Sequence, residues 1–263
     1  MQLRTLTFIF LITWCAFGRV CGQAGHQSKY HLIAHRGGLV DSSAAENSLQ
    51  ALEKAVKHGY YMIETDLRVT KDSMLVTYHD ASLKRTFGVD ASVESSTWKE
   101  LSVLENKKGY KMLAFEDVLR FCEGKLAVMI DTKIRGNDPV LFAKVIALLK
   151  QYNLYDTALM IGTDESTEFF TGKIKLSCTR KQLEENMQKP GYDPSHYYLF
   201  SNNISKEDFD WATAHNILVV GVINAWSFKS ADPVKEAENQ ADALKAAGVT
   251  HFQIDSVFEK LFK

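Results

Sequence analysis

Tyr61-Met62-Ile63-Glu64-Thr65-Asp66-Leu67-Arg68-Val69-Thr70-Lys71-Asp72-Ser73-Met74-Leu75-Val76-Thr77-Tyr78-His79 is the stretch on which the fold turns. It holds two apolar runs, Tyr61–Arg68 and Met74–His79. The gap between them is too short for a parallel crossover, which needs about a dozen residues or more. A turn at Lys71-Asp72-Ser73 suits the gap, so Met74–His79 is expected to run back antiparallel beside Tyr61–Arg68. With the bend there, Asp66 comes level with Thr77–His79. His79 is then brought to Glu64 and Asp66 with no other assumption.

Outward from this hairpin, apolar runs alternate with amphipathic ones. Further strands are expected at His31–Arg36, Leu126–Lys133, Thr157–Ile161, Ile174–Cys178, Tyr197–Phe200, Ile217–Ile223 and Thr250–Asp255. Removing the return strand leaves eight strands of βα type, the number that closes a (β/α)8 TIM barrel. Short connections and alternating elements favour that barrel over an open sheet. Helices are expected over Glu46–His58, Pro139–Gln151, Ser205–His215 and Asp232–Ala247. The first shows Leu49, Leu52, Ala55 and Val56 on one face and stops at Gly59. Asp138 caps the second, with Pro139 at the first helical position. Thr97-Trp98-Lys99-Glu100 is a capping box. Residues 81–112 form the one long excursion, expected as a small insertion over the barrel mouth.

The chain has 263 residues, 46% of them hydrophobic, enough for one large core. Its formal net charge of -1 gives no overall field for nucleic acid or anionic membrane, so any anion site must be local. The N-terminus differs. Arg4 precedes the uncharged run Leu6–Phe17, which is short for a bilayer span. Small residues follow at Val20-Cys21-Gly22. This pattern predicts a secretory signal over residues 1–22, hence a mature domain over 23–263 that is periplasmic or extracellular and not inserted in a membrane. A retained anchor is the alternative. Lipid attachment at Cys21 fits less well, because Arg19-Val20 is a poor lead-in. Cys122 and Cys178 remain, and one widely spaced pair reads as two buried thiols.

The chemistry-bearing residues sit at the ends of the apolar runs. Glu64 and Asp66 share one face of a strand, and two adjacent carboxylates repel unless a cation or proton joins them. Carboxylate oxygens with room for water suit Mg²⁺ or Ca²⁺, and Asp131 is placed to add a third. The Glu64/Asp66 pair reads equally as a solvated strand end paired to Lys or Arg. His35 follows Leu32-Ile33-Ala34 and is followed by Arg36-Gly37-Gly38, where the glycines allow close approach of backbone or anion. Taken singly, His35 or His79 is more often a buried histidine bonded to backbone. Two such histidines beside carboxylates point to acid–base work. Arg36 and Lys133 place two cations near the same mouth, which suits a phosphate and also balances the acids. Glu46 and Asn47 read as a helix start or as support for the site.

In order and spacing, these markers resemble the glycerophosphodiester phosphodiesterases, which share a phospholipase-C-like barrel. The markers are Ile33-Ala34-His35-Arg36-Gly37, Glu46-Asn47-Ser48, Glu64-Thr65-Asp66, Thr70-Lys71-Asp72, Val76-Thr77-Tyr78-His79-Asp80, Ile130-Asp131-Thr132-Lys133 and Ile254-Asp255. The resemblance implies that Glu64, Asp66 and Asp131 bind one divalent metal ion, Ca²⁺ or Mg²⁺. It implies that His35 and His79 are the acid–base pair and that Arg36 and Lys133 hold the phosphate, with Glu46 and Asn47 framing the substrate. The chain departs from the family pattern at Asp131, where Glu is usual, and at Ala45 and Ser48, where Pro and Thr are. Gly221 and Val222 stand in place of a tryptophan and a threonine, while Asn224 is kept. Trp226 or Phe87 is then expected to supply the missing aromatic wall.

The implied reaction is hydrolysis of a small-molecule glycerophosphodiester to glycerol 3-phosphate and an alcohol, through a cyclic phosphate. Two alternatives stay open. One is a related phosphodiesterase or lyase acting on lipid or glycan-linked phosphodiesters. The other is an exported, non-catalytic phosphodiester-binding module.

Overall fold

The computed structural model describes residues 29–229 and 231–263. The expected leader and Cys15 and Cys21 lie outside them. In chain order the elements are β1 (His31–Ala34), α1 (Leu49–Lys57), β2 (Met62–Val69), β3 (Leu75–Thr77), α2 (Lys84–Phe87), α3 (Trp98–Leu101), β4 (Leu113–Ala114), α4 (Phe115–Cys122), β5 (Ala127–Thr132) and α5 (Pro139–Gln151). There follow β6 (Leu159–Ile161), α6 (Asp164–Phe170), β7 (Lys175–Cys178), α7 (Arg180–Met187), β8 (Tyr197–Ser201), α8 (Lys206–Ala214), β9 (Leu218–Ile223), α9 (Pro233–Ala247) and β10 (His251–Ile254).

Eight parallel strands, β1-β2-β5-β6-β7-β8-β9-β10, close on themselves because β1 pairs with both β2 and β10. This is the (β/α)8 barrel expected from the sequence. The hairpin is also as expected. β2 and β3 are antiparallel with Leu67 opposite Thr77, and the Tyr78 amide donates to the Asp66 carbonyl at 2.9 Å. The turn is tied locally: Thr70 Oγ1 donates to Asp72 Oδ1 at 2.6 Å, and Ser73 takes a left-handed φ of 61°. β4 was not anticipated. Its two-residue pairing with β3 is too short to leave a periodic signal.

The period-two pleat sorts the strand side chains into an inner and an outer set. Ile33, Met62, Met129, Leu159, Tyr198 and Val220 form one apolar cluster inside the barrel. Their neighbours in sequence, among them Ala34, Ile63, Val128, Ile130, Leu199 and Val219, point out and join Leu52, Val118 and Phe142 of the helices in the main core. A third cluster, with Val76, Tyr78, Leu83, Leu101 and Tyr110, lies under residues 81–112.

Helix starts follow their caps. Thr97 and Glu100 make the capping box, and Asp138 accepts from the amides of Val140 and Leu141. The first helix begins at Leu49, not Glu46: Asn47 sits at a φ of 53° and Ser48 supplies the cap. Cys122 and Cys178 are buried free thiols, as expected, and burial pushes them up to about 12 and about 11. No helix among the described residues is long and apolar enough to cross a membrane.

Candidate active site

Each inner strand carries its chemistry two or four residues beyond the apolar plug. Ile33 leads to His35, Met62 to Glu64 and Asp66, and Met129 to Asp131 and Lys133. On the facing strands the same step reaches Ile161, Phe200 and Val222. The barrel mouth is therefore acidic and basic on one side and apolar on the other. The resulting cleft, of about 390 Å³, is lined by His35, Arg36, Asp66, His79, Asp131 and Lys133 opposite Ile161, Phe200, Val222 and Trp226, with Asn224 and Gln253 between.

The loop after β1 is shaped by its glycines. Gly37 (φ 78°) and Gly38 (φ 138°) lie against the backbone of Asn47 and Ala51, and a Cβ on either would overlap it. That close approach seats Asn47 behind the carboxylates. Asn47 Nδ2 donates to Asp66 Oδ2 at 3.0 Å, and its Oδ1 accepts from Thr65 Oγ1 at 2.9 Å. Both ends of a buried amide are satisfied, and the Asp66 carboxylate is oriented. Asn47 does not line the cleft. Nor does Glu46, which faces Arg36 Nη1 through Oε2 at 2.7 Å. The two residues grouped with substrate from the sequence thus stand behind it.

Glu64, Asp66 and Asp131 each offer an oxygen within 4.8 Å of the others. Glu64 is 1% exposed; Oε2 accepts from the Arg36 amide at 2.7 Å, while Oε1 is buried with no partner. Burial, then Asp66 and Asp131, push its carboxyl well above the usual carboxylate range. Burial likewise raises Asp131, against the pull of Lys133. An orphaned buried oxygen amid three carboxylates fits a hard divalent cation. Lys133 Nζ donates to Asp131 Oδ2 at 2.6 Å and lies 3.5 Å from Asp66 Oδ1. Burial works against its charge, but Asp131 and Asp66 outweigh that and hold its pKa above the ordinary lysine value.

The two histidines face the cleft from opposite supports. His35 Nδ1 donates to Asp255 Oδ1 at 2.6 Å, across 220 residues of sequence. Burial disfavours the Asp255 carboxylate, but His35, the Ala225 amide and Arg36 together outweigh it and its pKa is lowered. His79 Nδ1 donates to Asp80 Oδ1 at 2.8 Å. Its Nε2 lies 3.3 Å from Arg36 Nη2, and since guanidinium only donates, that nitrogen presents its lone pair. Arg68 clamps the same residue from behind, donating to the His79 carbonyl from Nη2 at 2.8 Å and Nε at 3.1 Å.

Sequence reasoning gave no role to Asp255, Asp80 or Arg68. An acid next to His79 was a usable signal for Asp80. Nothing local marks Asp255 as the partner of His35. Of the two aromatic candidates, Trp226 lines the cleft and Phe87 does not: Phe87 is stacked between Tyr78 and Tyr110 at centroid distances of 5.9 and 5.5 Å.

A closed parallel barrel whose mouth gathers two imidazoles, an acidic trio and two cations is suited to a phosphate-bearing ligand. The comparisons agree. The model of the glycerophosphoryl diester phosphodiesterase family matches residues 35–164. A lysophospholipase D of Homo sapiens is 34% identical over 137 residues, 46% of this chain and 41% of that protein. The match thus spans well under half of that relative's length. A glycerophosphoryl diester phosphodiesterase from Parabacteroides distasonis superposes with a TM-score of 0.72 at 21% identity, over 90% of this chain and 86% of that one. A phosphodiesterase from Oleispira antarctica, solved with sn-glycerol-3-phosphate, superposes at 0.66 and 18% identity, over 88% of this chain and 96% of that one. Over residues 35–164 the chain thus matches the glycerophosphoryl diester phosphodiesterase family, and over nine-tenths of its length it shares the fold.

Proposed function

We propose that this chain hydrolyses glycerophosphodiesters to glycerol phosphate and an alcohol by acid–base catalysis between His35 and His79. The observation that carries the reading is the pairing of two carboxylate-held imidazoles around one cleft that also holds Arg36, Lys133, Asp66 and Asp131, with Glu64 buried beside those two acids. Arg36 and Lys133 bind the phosphoryl oxygens, the first as a fork and the second as a point charge. Glu64, Asp66 and Asp131 would hold a divalent ion, which would supply Lewis-acid stabilisation of the charge that develops in the reaction.

His79 begins as base: Asp80 holds its Nδ1–H, so the lone pair is on Nε2, and it is released to the glycerol hydroxyl when Arg36 turns its guanidinium to the phosphate. It takes the proton from the glycerol hydroxyl next to the phosphate, and that oxygen attacks phosphorus. His35 then serves as the acid, its ring held in place by Asp255, 2.6 Å from Nδ1. It gives its proton to the departing alcohol. The cyclic phosphate is then opened by water with the two roles exchanged.

The test is a pair of substrates. On an alkyl glycerophosphodiester, His35→Ala and His79→Ala should each lower kcat by about 10²–10⁴-fold. On a nitrophenyl diester, whose leaving group needs no proton, His35→Ala should recover most of its rate and His79→Ala should not. The reverse pattern exchanges the roles, and unimpaired variants refute the reading. A second reading, with a lysophospholipid as substrate, is favoured by the apolar wall of Ile161, Phe200, Val222 and Trp226. Hydrolysis rates for acylated and deacylated diesters separate the two. Export through a leader ending near Gly22 belongs to the same proposal and is tested by N-terminal sequencing of the secreted protein.

A further inference from the structure

The insertion after β3 returns one side chain towards the site. Arg85, on α2, donates from Nη2 to Glu46 Oε1 and from Nε to Asp80 Oδ2, the latter at 2.5 Å. Glu46 Oε2 accepts from Arg36 Nη1, Asp80 Oδ1 accepts from His79 Nδ1, and Arg36 Nη2 donates to His79 Nε2. Arg36, Glu46, Arg85, Asp80 and His79 thus close into a ring in which every link is a hydrogen bond. Arg85 does not line the cleft. We propose, resting on the phosphodiesterase reading, that Arg85 is a positioning residue, tying Glu46 to Asp80 and so fixing the Arg36 guanidinium and the His79 imidazole relative to each other.

The chemistry requires a fork. One guanidinium serves two carboxylates at once, in a fixed plane; an ammonium is a point charge and cannot hold the same pair in the same way. The helix that carries Arg85 is itself anchored, since Phe87 is sandwiched between Tyr78 and Tyr110. Without Arg85, Glu46 keeps a single partner, and a bidentate pair with Arg36 becomes its best alternative. Arg36 would then turn its second nitrogen away from His79. Asp80 would lose the partner opposite His79 and with it a fixed orientation. Arg85 is half exposed, at 52% of its side chain, so its ion pairs add little stability, and the effect falls on geometry.

The test uses the full chain with Arg85→Ala and Arg85→Lys, and glycerophosphocholine as substrate. A misplacement of about 1 Å costs about 10²-fold in rate. Arg85→Ala should therefore lose about 10–10²-fold in kcat with the thermal midpoint little changed. Arg85→Lys, which retains the charge and covers the case of a poorly folded alanine variant, should remain impaired. Ethylguanidinium should restore Arg85→Ala where ethylammonium does not. A readout independent of turnover is the side-chain ¹⁵N spectrum of His79, which should show the proton on Nδ1 in the wild type and mixed tautomers in both variants. Wild-type kcat in both variants, equal rescue by the two cations, or an unchanged His79 spectrum would overturn the proposal. A wild type that turns over no glycerophosphodiester would overturn the phosphodiesterase reading instead, and the His79 spectra would still decide the ring.

Discussion

Asp255→Asn should damage both stability and rate, for a reason that can be counted in hydrogen bonds. The Asp255 carboxylate serves two donors, His35 Nδ1–H at 2.6 Å and the Ala225 amide at 2.6 Å. Asparagine has the same shape but one acceptor oxygen. If that oxygen stays with His35, the Ala225 N–H faces an NH₂ group and must turn to water, at a cost of about 0.5–1.5 kcal/mol because that amide is exposed. If it turns to Ala225, the amide donates to His35 Nδ1 and drives the proton onto Nε2, the wrong tautomer for a nitrogen that must exchange protons in the cleft. A dyad broken this way loses up to about 10⁴-fold in kcat. In either orientation His35 loses the carboxylate that held its Nδ1. The expected result is a urea midpoint lowered at unchanged m-value, together with a kcat reduced by about 10²–10⁴-fold. Wild-type stability combined with wild-type kcat would refute the reasoning, because no orientation of the amide satisfies both donors.

Gly38→Ala should fail to fold or unfold at much lower denaturant, since its φ of 138° excludes a side chain and its Cβ would overlap the Ala51 carbonyl; the strain costs about 1–3 kcal/mol before the clash is added. Glu64→Gln should raise the thermal midpoint of metal-free protein by removing one of three repelling charges, and should abolish the rise in midpoint that added Ca²⁺ or Mg²⁺ gives the wild type; a wild type that no divalent ion stabilises would count against the metal site. At the opposite end of the barrel, burial and then His31 lower His251 from 6.5 to about 4. Between those values the unfolded chain binds the extra proton, so stability is fully present above pH 6.5 and falls as pH drops towards 4. His251→Phe should flatten that limb in a urea series, and an unchanged limb would remove His251 from the effect.

Local rules carried far in this chain. The short gap after Asp66 admits only a turn, and the pleat then sets Asp66 opposite Tyr78 and aims Glu64 and Asp66 inward with Met62. Asp138-Pro139 and Thr97–Glu100 mark helix starts because a cap is a contact over two or three residues. The same reasoning overran at Glu46, where the apolar stripe continues back past a left-handed Asn47 that periodicity cannot register. It also left Phe87 and Trp226 level as aromatic candidates. Both follow a strand closely, and only packing of the insertion core takes Phe87 out of the cleft.

By itself the sequence determined which side chains stand at strand ends and which way each one faces, since alternation and turn chemistry act over a few residues. Tertiary structure alone decided what those side chains meet. Barrel closure sets β10 beside β1 and so gives His35 its Asp255; the Gly37–Gly38 approach seats Asn47 against Asp66; and the insertion carries Arg85 to Glu46 and Asp80. These contacts depend on the summed tilt and packing of many elements, and no window of the chain contains that sum.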